Sequence, residues 1–330
     1  MKVLRFSLAI AVVAMCSCAS TEPVAVPVVR APPPPPVHSL LNWVPSNAVS
    51  VLYVNYAQLK GDWKSVLDAS ELPKARRAEQ GFVESEDVDH SVICAMGEGP
   101  SPENLALYDG RFSDRALQKS RIASLGDLPN YRDLQLWGNG DRAIGKLTKT
   151  RVGVGTRAAV QSTIDIIAGA GEAVTREGWF LEANESMSRE WASARRVGLE
   201  LTAKSTGPMR ERLASMFPEA SALKWFSARA GGIDDFDLVA IGKAETPEAA
   251  QALVYAMAQK AEQWAGRPQV RFMGLSGVLE AIRFENQGNF AKARLHIKAE
   301  EWRGLKQRFS ELLAFLRKRQ VQSEEKSKRR

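Results

Sequence analysis

Cysteine is scarce in this 330-residue chain: Cys16, Cys18 and Cys94 are the whole complement. The first two fall in the opening segment, which leaves one thiol for the body and no disulfide framework. Histidine is equally rare. His38, His90 and His296 stand far apart, so clustered metal ligands, such as two histidines four residues apart on a helix, do not occur. Long hydrophobic runs are missing too. The stretch Leu8–Met15 falls short of the about 20 apolar residues that a helix needs to cross a hydrocarbon core, and no later segment is longer.

A one-sided charge is absent as well, once the charge is located. The formal +7 divides between Lys2 and Arg5 at the start and residues 317–330 at the end. In that last stretch Arg317, Lys318, Arg319, Lys326, Lys328, Arg329 and Arg330 face only Glu324 and Glu325. Residues 19–316 are therefore neutral, which leaves no field for tracking phosphates and argues against a nucleic-acid partner. The tail itself reads as a solvated charged end. Its one candidate role is contact with anionic headgroups, at about 1 kcal/mol per basic residue near the surface.

What is present starts at the first residue. Lys2 and Arg5 precede the apolar stretch, and the string AMCSCAS follows, which is the layout of an export signal in residues 1–18. Ser17 is the small residue wanted before Cys18. Val13 and Ala14 suit Cys16, but Met15 at its junction does not, so Cys18 is the favoured lipidation site and Cys16 the alternative. Here the chain resembles bacterial lipoproteins. That resemblance implies a diacylglycerol thioether, a further acyl chain such as palmitate on the new N-terminus, and stable anchoring, since two or more chains hold where one does not. Ala19, where an Asp would retain the protein, implies the outer membrane of a two-membrane cell, on its periplasmic or surface face.

Residues 19–39 form a Pro-rich tether. Pro32–Pro36 favour polyproline II, rising about 3.1 Å per residue, so the body can stand up to roughly 60 Å from its anchor. Two α+β units are expected after it, residues 40–170 and 196–317, joined by a connector at 171–195 and followed by the basic tail at 318–330. In the first unit the sequence predicts strands at Val49–Tyr56, Ser91–Met96 and Leu105–Phe112. It further predicts an amphipathic helix at Trp63–Ala69, a helix from Ser113 to Ala123, and a hairpin of Leu134–Trp137 with Ala143–Thr148. The strand Arg151–Gly155 then leads into a helix capped by Thr156, with Val160, Ile164 and Ile167 on one face. In the second unit Val197–Ala203, Ala222–Ala230 and Phe236–Ala244 read as strands, and Met209–Phe217 as a helix. Thr246 caps a long helix with Pro247 at its first position. Leu279–Glu285 and Asn289–Lys298 read as a hairpin. A final helix carries Trp302, Leu305, Phe309, Leu312 and Leu316.

The fold class expected is therefore α+β, two similar subdomains of antiparallel sheet with helices packed on one face. Asn104 precedes the cap Ser113 by nine residues, as Asp237 precedes the cap Thr246. That shared order, with the opening LNWVPSNAVSVLYVNYAQL, resembles duplicated-domain bacterial envelope proteins of unknown function. The resemblance brings no site residues with it.

Candidate chemistry is thin. Gly153-Val154-Gly155-Thr156-Arg157-Ala158 matches the dinucleotide pattern between a strand and a helix. Antiparallel hairpins precede it, however, and no acid-ended strand follows, so the glycines read as strand-end residues and no cofactor is expected. Glu84, Glu86, Asp87 and Asp89 lack the glycine turn of a calcium loop. Gly274-Leu275-Ser276-Gly277 stops short of a nucleophile elbow because Val278 takes the fifth place. Asp234, Asp235 and Asp237 could serve a hydrolase only if they met a second acid in a cleft. Cys94, within an apolar strand, reads as a buried structural thiol. Trp137, Trp179 and Trp191 are the candidate stacking platforms, although core is the simpler reading for tryptophans on apolar stripes.

The expectation is a non-enzymatic binding or scaffolding lipoprotein of the cell envelope, with a protein or peptidoglycan partner. Its two competitors are an envelope hydrolase with converging carboxylates and a carrier of a lipid or other apolar ligand.

Overall fold

The structure, a computed structural model, describes residues 39–59, 78–99, 102–139, 141–191, 197–232, 234–272 and 274–308. The expected signal, both candidate lipidation cysteines, the tether up to His38, the helix at Trp63–Ala69, the final-helix residues Phe309, Leu312 and Leu316, and the basic tail lie outside them.

Twelve strands form one antiparallel sheet. They are β1 (Ala48–Asn55), β2 (Val88–Met96), β3 (Glu103–Gly110), β4 (Asp127–Tyr131), β5 (Leu134–Gly138), β6 (Ala143–Lys146), β7 (Arg151–Gly155), β8 (Val197–Lys204), β9 (Leu223–Gly231), β10 (Phe236–Ala244), β11 (Arg283–Gln287) and β12 (Phe290–Ile297). Their order across the sheet is β11-β12-β10-β9-β8-β1-β2-β3-β7-β6-β5-β4. The protein is α+β: every strand pair is antiparallel, and the helices pack against the sheet without parallel crossovers. The two halves share a single sheet through the pair β1–β8. Read outward from that pair, β1-β2-β3-β7-β6 and β8-β9-β10-β12-β11 follow the same path, and the β4–β5 hairpin extends the first half.

Because side chains alternate across a strand, register divides the residues between two faces. On the face of Val51, the first half buries Val92, Cys94, Leu105, Leu107 and Leu136 against Ala159, Val160 and Ile164 of α1 (Arg157–Ile167). The face of Leu52 is covered at both ends. Phe82, Leu117 and Ile122 close over Tyr108, Val152 and Ile144 in the first half. In the second, Phe217, Leu253 and Trp302 cover Leu223, Ala244, Leu238 and Leu295. Helical segments thus lie against both faces.

Two caps fall where expected. Ala159 N–H donates to Thr156 Oγ1 at 3.2 Å, and Ala249 N–H to Thr246 Oγ1 at 3.2 Å, which starts α1 and, later in the chain, the long helix Pro247–Ala265. Other expectations are corrected. Ser113 makes no capping bond, and its helix is only Asp114–Gln118. Ile167 ends α1 exposed. The connector at 171–195 contains α2 (Gly178–Glu190), with Phe180, Ala183 and Met187 buried. The second-half helix expected at Met209–Phe217 is α3 (Gly207–Met216), and α4 is Pro247–Ala265. The last hairpin turns at Gly288-Asn289, with φ +56° at the glycine, and Ser276–Glu280 is a helical turn before it.

Candidate binding surface

The charged side chains of the second half converge on the Val51 face beneath α2. β8 places Glu200 there and β9 Arg229, cross-strand partners in register. Arg229 is 3% exposed. It donates to Glu200 Oε1 at 2.9 Å and to Asn184 Oδ1 on α2 at 2.6 Å. Glu182 accepts from Trp225 Nε1 at 3.0 Å and pairs with Lys243. Glu190 pairs with Lys292 at 2.6 Å and with Arg294. Burial alone would raise the pKa values of both glutamates. Hydrogen bonds from Lys243 and Trp225 with the charges of Lys243 and Lys224 at Glu182, and hydrogen bonds and charge from Lys292 and Arg294 at Glu190, outweigh it and hold both carboxyls below the ordinary range. The cations of this face are thereby committed to α2, which makes it an internal electrostatic interface.

Chemistry-bearing residues elsewhere are similarly engaged. Tyr53 Oη bonds His90 Nδ1 at 2.9 Å. Burial, reinforced by the charge of Glu200, pushes the phenol well above its usual range, which makes it unfit as a base at neutral pH. Burial pushes the Cys94 thiol up to about 12, against a weaker lowering by a backbone hydrogen bond at Leu105, so it is inert. His296 Nδ1 lies 2.9 Å from Asp237, and its Nε2 lies 3.7 Å from Asp235. Asp235 also accepts the N–H of Ala299 at 2.8 Å, capping the helix that begins there, while Asp234 stays exposed outside the pair. Ser276 spends its hydroxyl on the carbonyl of Ala265 at 2.9 Å. Asp87 accepts the N–H of Val83, and Glu84 that of the Gln80 amide. Neither joins Glu86 or Asp89 around a common point. Among the described residues no group of three or more His, Cys, Asp or Glu is placed to hold a metal ion.

The G-x-G-x-x-A run has a packing explanation. β7 pairs antiparallel with both β3 and β6, so it does not open a βαβ unit. Gly153 stands opposite Gly145 under α1, where a Cβ on Gly145 would come 2.6 Å from Leu136. A Cβ on Gly155 would come 2.4 Å from the Asn104 carbonyl. Trp137 and Trp191 are buried in cores rather than offered as platforms. Trp179 is partly buried, with Lys204 5.3 Å above its ring.

The surface left over is apolar. On the Leu52 face, register aligns Ala106, Ile93, Leu52, Leu201 and Ala228 in one row across β3, β2, β1, β8 and β9. Five strands make that row about 19 Å long. Ile93 is 38% exposed, and Leu52 and Leu201 are half-buried. None of the three joins a buried cluster among the described residues, although cores close over the sheet on either side. Among the described residues the row therefore lies between two covered regions, an apolar strip, or trough, at the joint of the two halves. In the sequence each of these residues reads only as part of a strand. The available signal is the full run Val49–Tyr56, apolar on both faces where a strand with one wet face would alternate. Nearby, the small pocket lined by Leu59, Leu199, Phe236 and Trp302 has a volume of about 30 Å³, room for a few waters at most.

No family model and no curated protein matches the chain. Among solved structures, it is similar to crystal form I of TP0453, a Treponema protein, at 12% identity and a TM-score of 0.45, covering 82% of this chain and 96% of that one. Crystal form III of the same protein gives 10% identity and 0.44, covering 82% and 97%. The likeness is one of fold alone, and no site or activity is carried over from it.

Proposed function

We propose that this chain is a lipid-anchored, non-enzymatic binding or scaffolding protein of the cell envelope, built from two related units and lipidated at Cys18. The trough at their joint is the recognition surface, and its partner is an amphipathic helix of another envelope protein. The observation that carries this is the row of Ile93, Leu52 and Leu201, apolar and half-open between two covered regions of the same sheet face. A sheet face of that chemistry is completed by a helix laid across it. The engagement of the acids, the histidines His90 and His296 and the buried thiol in structural bonds supports a binder over a hydrolase. The single sheet favours it over a carrier holding its cargo between sheets.

A photo-crosslinking residue at position 93, introduced in cells, should trap one discrete envelope protein. The same residue at Leu125, exposed but away from the trough, should not. A crosslink from 93 back into the same chain, or to lipid, would contradict the reading. Serine at Cys18 should abolish acyl labelling and release the chain from the membrane.

A further inference from the structure

Phe272 is 90% exposed, far beyond the other large apolar side chains described. It ends α5 (Pro268–Phe272), a short helix held by bonds from Arg271 N–H to the Arg267 carbonyl and from Leu275 N–H to the Val270 carbonyl. Residues 266–275 contain Arg267 and Arg271 and no acid, and both arginines are exposed. Arg308 adds a third charge. Its guanidinium lies so close to Gly274 that a Cβ there would come 2.1 Å from Nη1. Among the described residues none of these three arginines has an ion-pair partner, in contrast to the paired cations under α2. An aromatic side chain standing in water on a segment with unpaired arginines is the chemistry of an interfacial contact, with the apolar group among headgroups and the charges on anionic phosphates.

The position of this corner agrees with its chemistry. Ser39, the first described residue, is held by Arg151 Nη2 at 2.6 Å. That is the strand end where Arg151, Asp109, His90 and Asn55 stand side by side. α4 leaves the opposite end after Ala244 and returns over 19 residues, about 28 Å. This brings α5 and the start of β11 back to the end at which the tether arrives. The 22 residues beyond Arg308 are also net basic.

We infer that this corner, Phe272 with Arg267, Arg271 and Arg308, seats on the anionic headgroup layer of the membrane that holds the lipid anchor. The contact orients the body, with the trough's strands standing away from the bilayer. It rests on the anchored reading above.

The test uses the full lipidated chain carrying Phe272→Cys and an environment-sensitive fluorophore, Cys94 being buried and unreactive. Vesicles are phosphatidylcholine with or without phosphatidylglycerol, and flotation of the same samples reports anchoring separately. A control label replaces Tyr255, 64% exposed on α4. The label at 272 should shift to the blue and resist aqueous quencher on anionic vesicles only. That protection should fall in high salt and drop about tenfold or more with Arg267→Glu and Arg271→Glu, while the label at 255 stays in water. A floating chain whose 272 label remains in water overturns the inference and leaves the anchor standing. Failure to float overturns both. Protection that ignores lipid charge, or equal shifts at 255 and 272, points to a protein contact or general adsorption and also overturns it.

Discussion

The Val51 face is apolar in the first half and charged in the second, yet a helix covers both. α1 lays Ala159, Val160 and Ile164 over Leu105, Leu107 and Gly153. α2 lays Glu182, Asn184 and Glu190 over Trp225, Lys243, Arg229, Lys292 and Arg294. A charged strand face is therefore no sign of solvent when the covering helix brings the opposite charges. The two solutions differ in failure mode. Loss of an apolar contact leaves a void, whereas loss of one ion partner leaves a charge stranded in low dielectric.

That difference can be broken by mutation. Glu190→Ala strands Lys292, which is itself buried, and should cost about 3–5 kcal/mol of unfolding free energy. Glu190→Met combined with Lys292→Met should recover most of the loss. In the first half, Leu107→Ala should cost about 2–5 kcal/mol, and no single neighbouring change should rescue it. Chemical denaturation of these variants checks the asymmetry, and equal rescue in both halves would erase it.

Acid sharpens the same contrast. Glu182 and Glu190 titrate below their ordinary value of 4.5 in the folded chain. Their stabilisation is complete above that pH and is lost as pH falls through the depressed folded values. Hydrogen exchange below pH 4.5 should therefore accelerate first in α2 and β9–β12, with α1 and β3 still protected. The smallest effects belong to the caps. Thr156→Ala and Thr246→Ala should each cost about 1 kcal/mol, whereas Ser113→Ala, which removes no bond, should be nearly silent.

Local signals in the sequence are strong enough to place most of the sheet. Short apolar runs locate β1, β3, β7 and β10 to within a residue or two, and threonine caps locate α1 and α4. The helix α2 is not legible although Phe180, Ala183, Met187 and Trp191 carry helical spacing, because Gly178, Asn184 and three glutamates dilute its apolar stripe. β4 escapes because Pro129 interrupts it and its turn uses Arg132 and Asp133 at positive φ, 46° and 65°, in place of glycine. The fusion of both units into one sheet depends on β1 pairing with β8 across more than a hundred intervening residues, and no local pattern encodes that partner. The trough is hidden for the same reason, since Ile93, Leu52 and Leu201 are neighbours only in register. The arginine cluster of the Phe272 corner likewise needs Arg308, which reaches Gly274 from a distant part of the sequence.

The most direct test is the reactivity of Ile93→Cys towards a membrane-permeant maleimide, compared between the purified protein and the intact envelope. If a partner occupies the trough, the introduced thiol reacts freely after purification and about tenfold or more slowly in place, the protection expected of a packed interface core. Equal rates in both settings would mean that the trough is empty where the protein works, and would contradict the account.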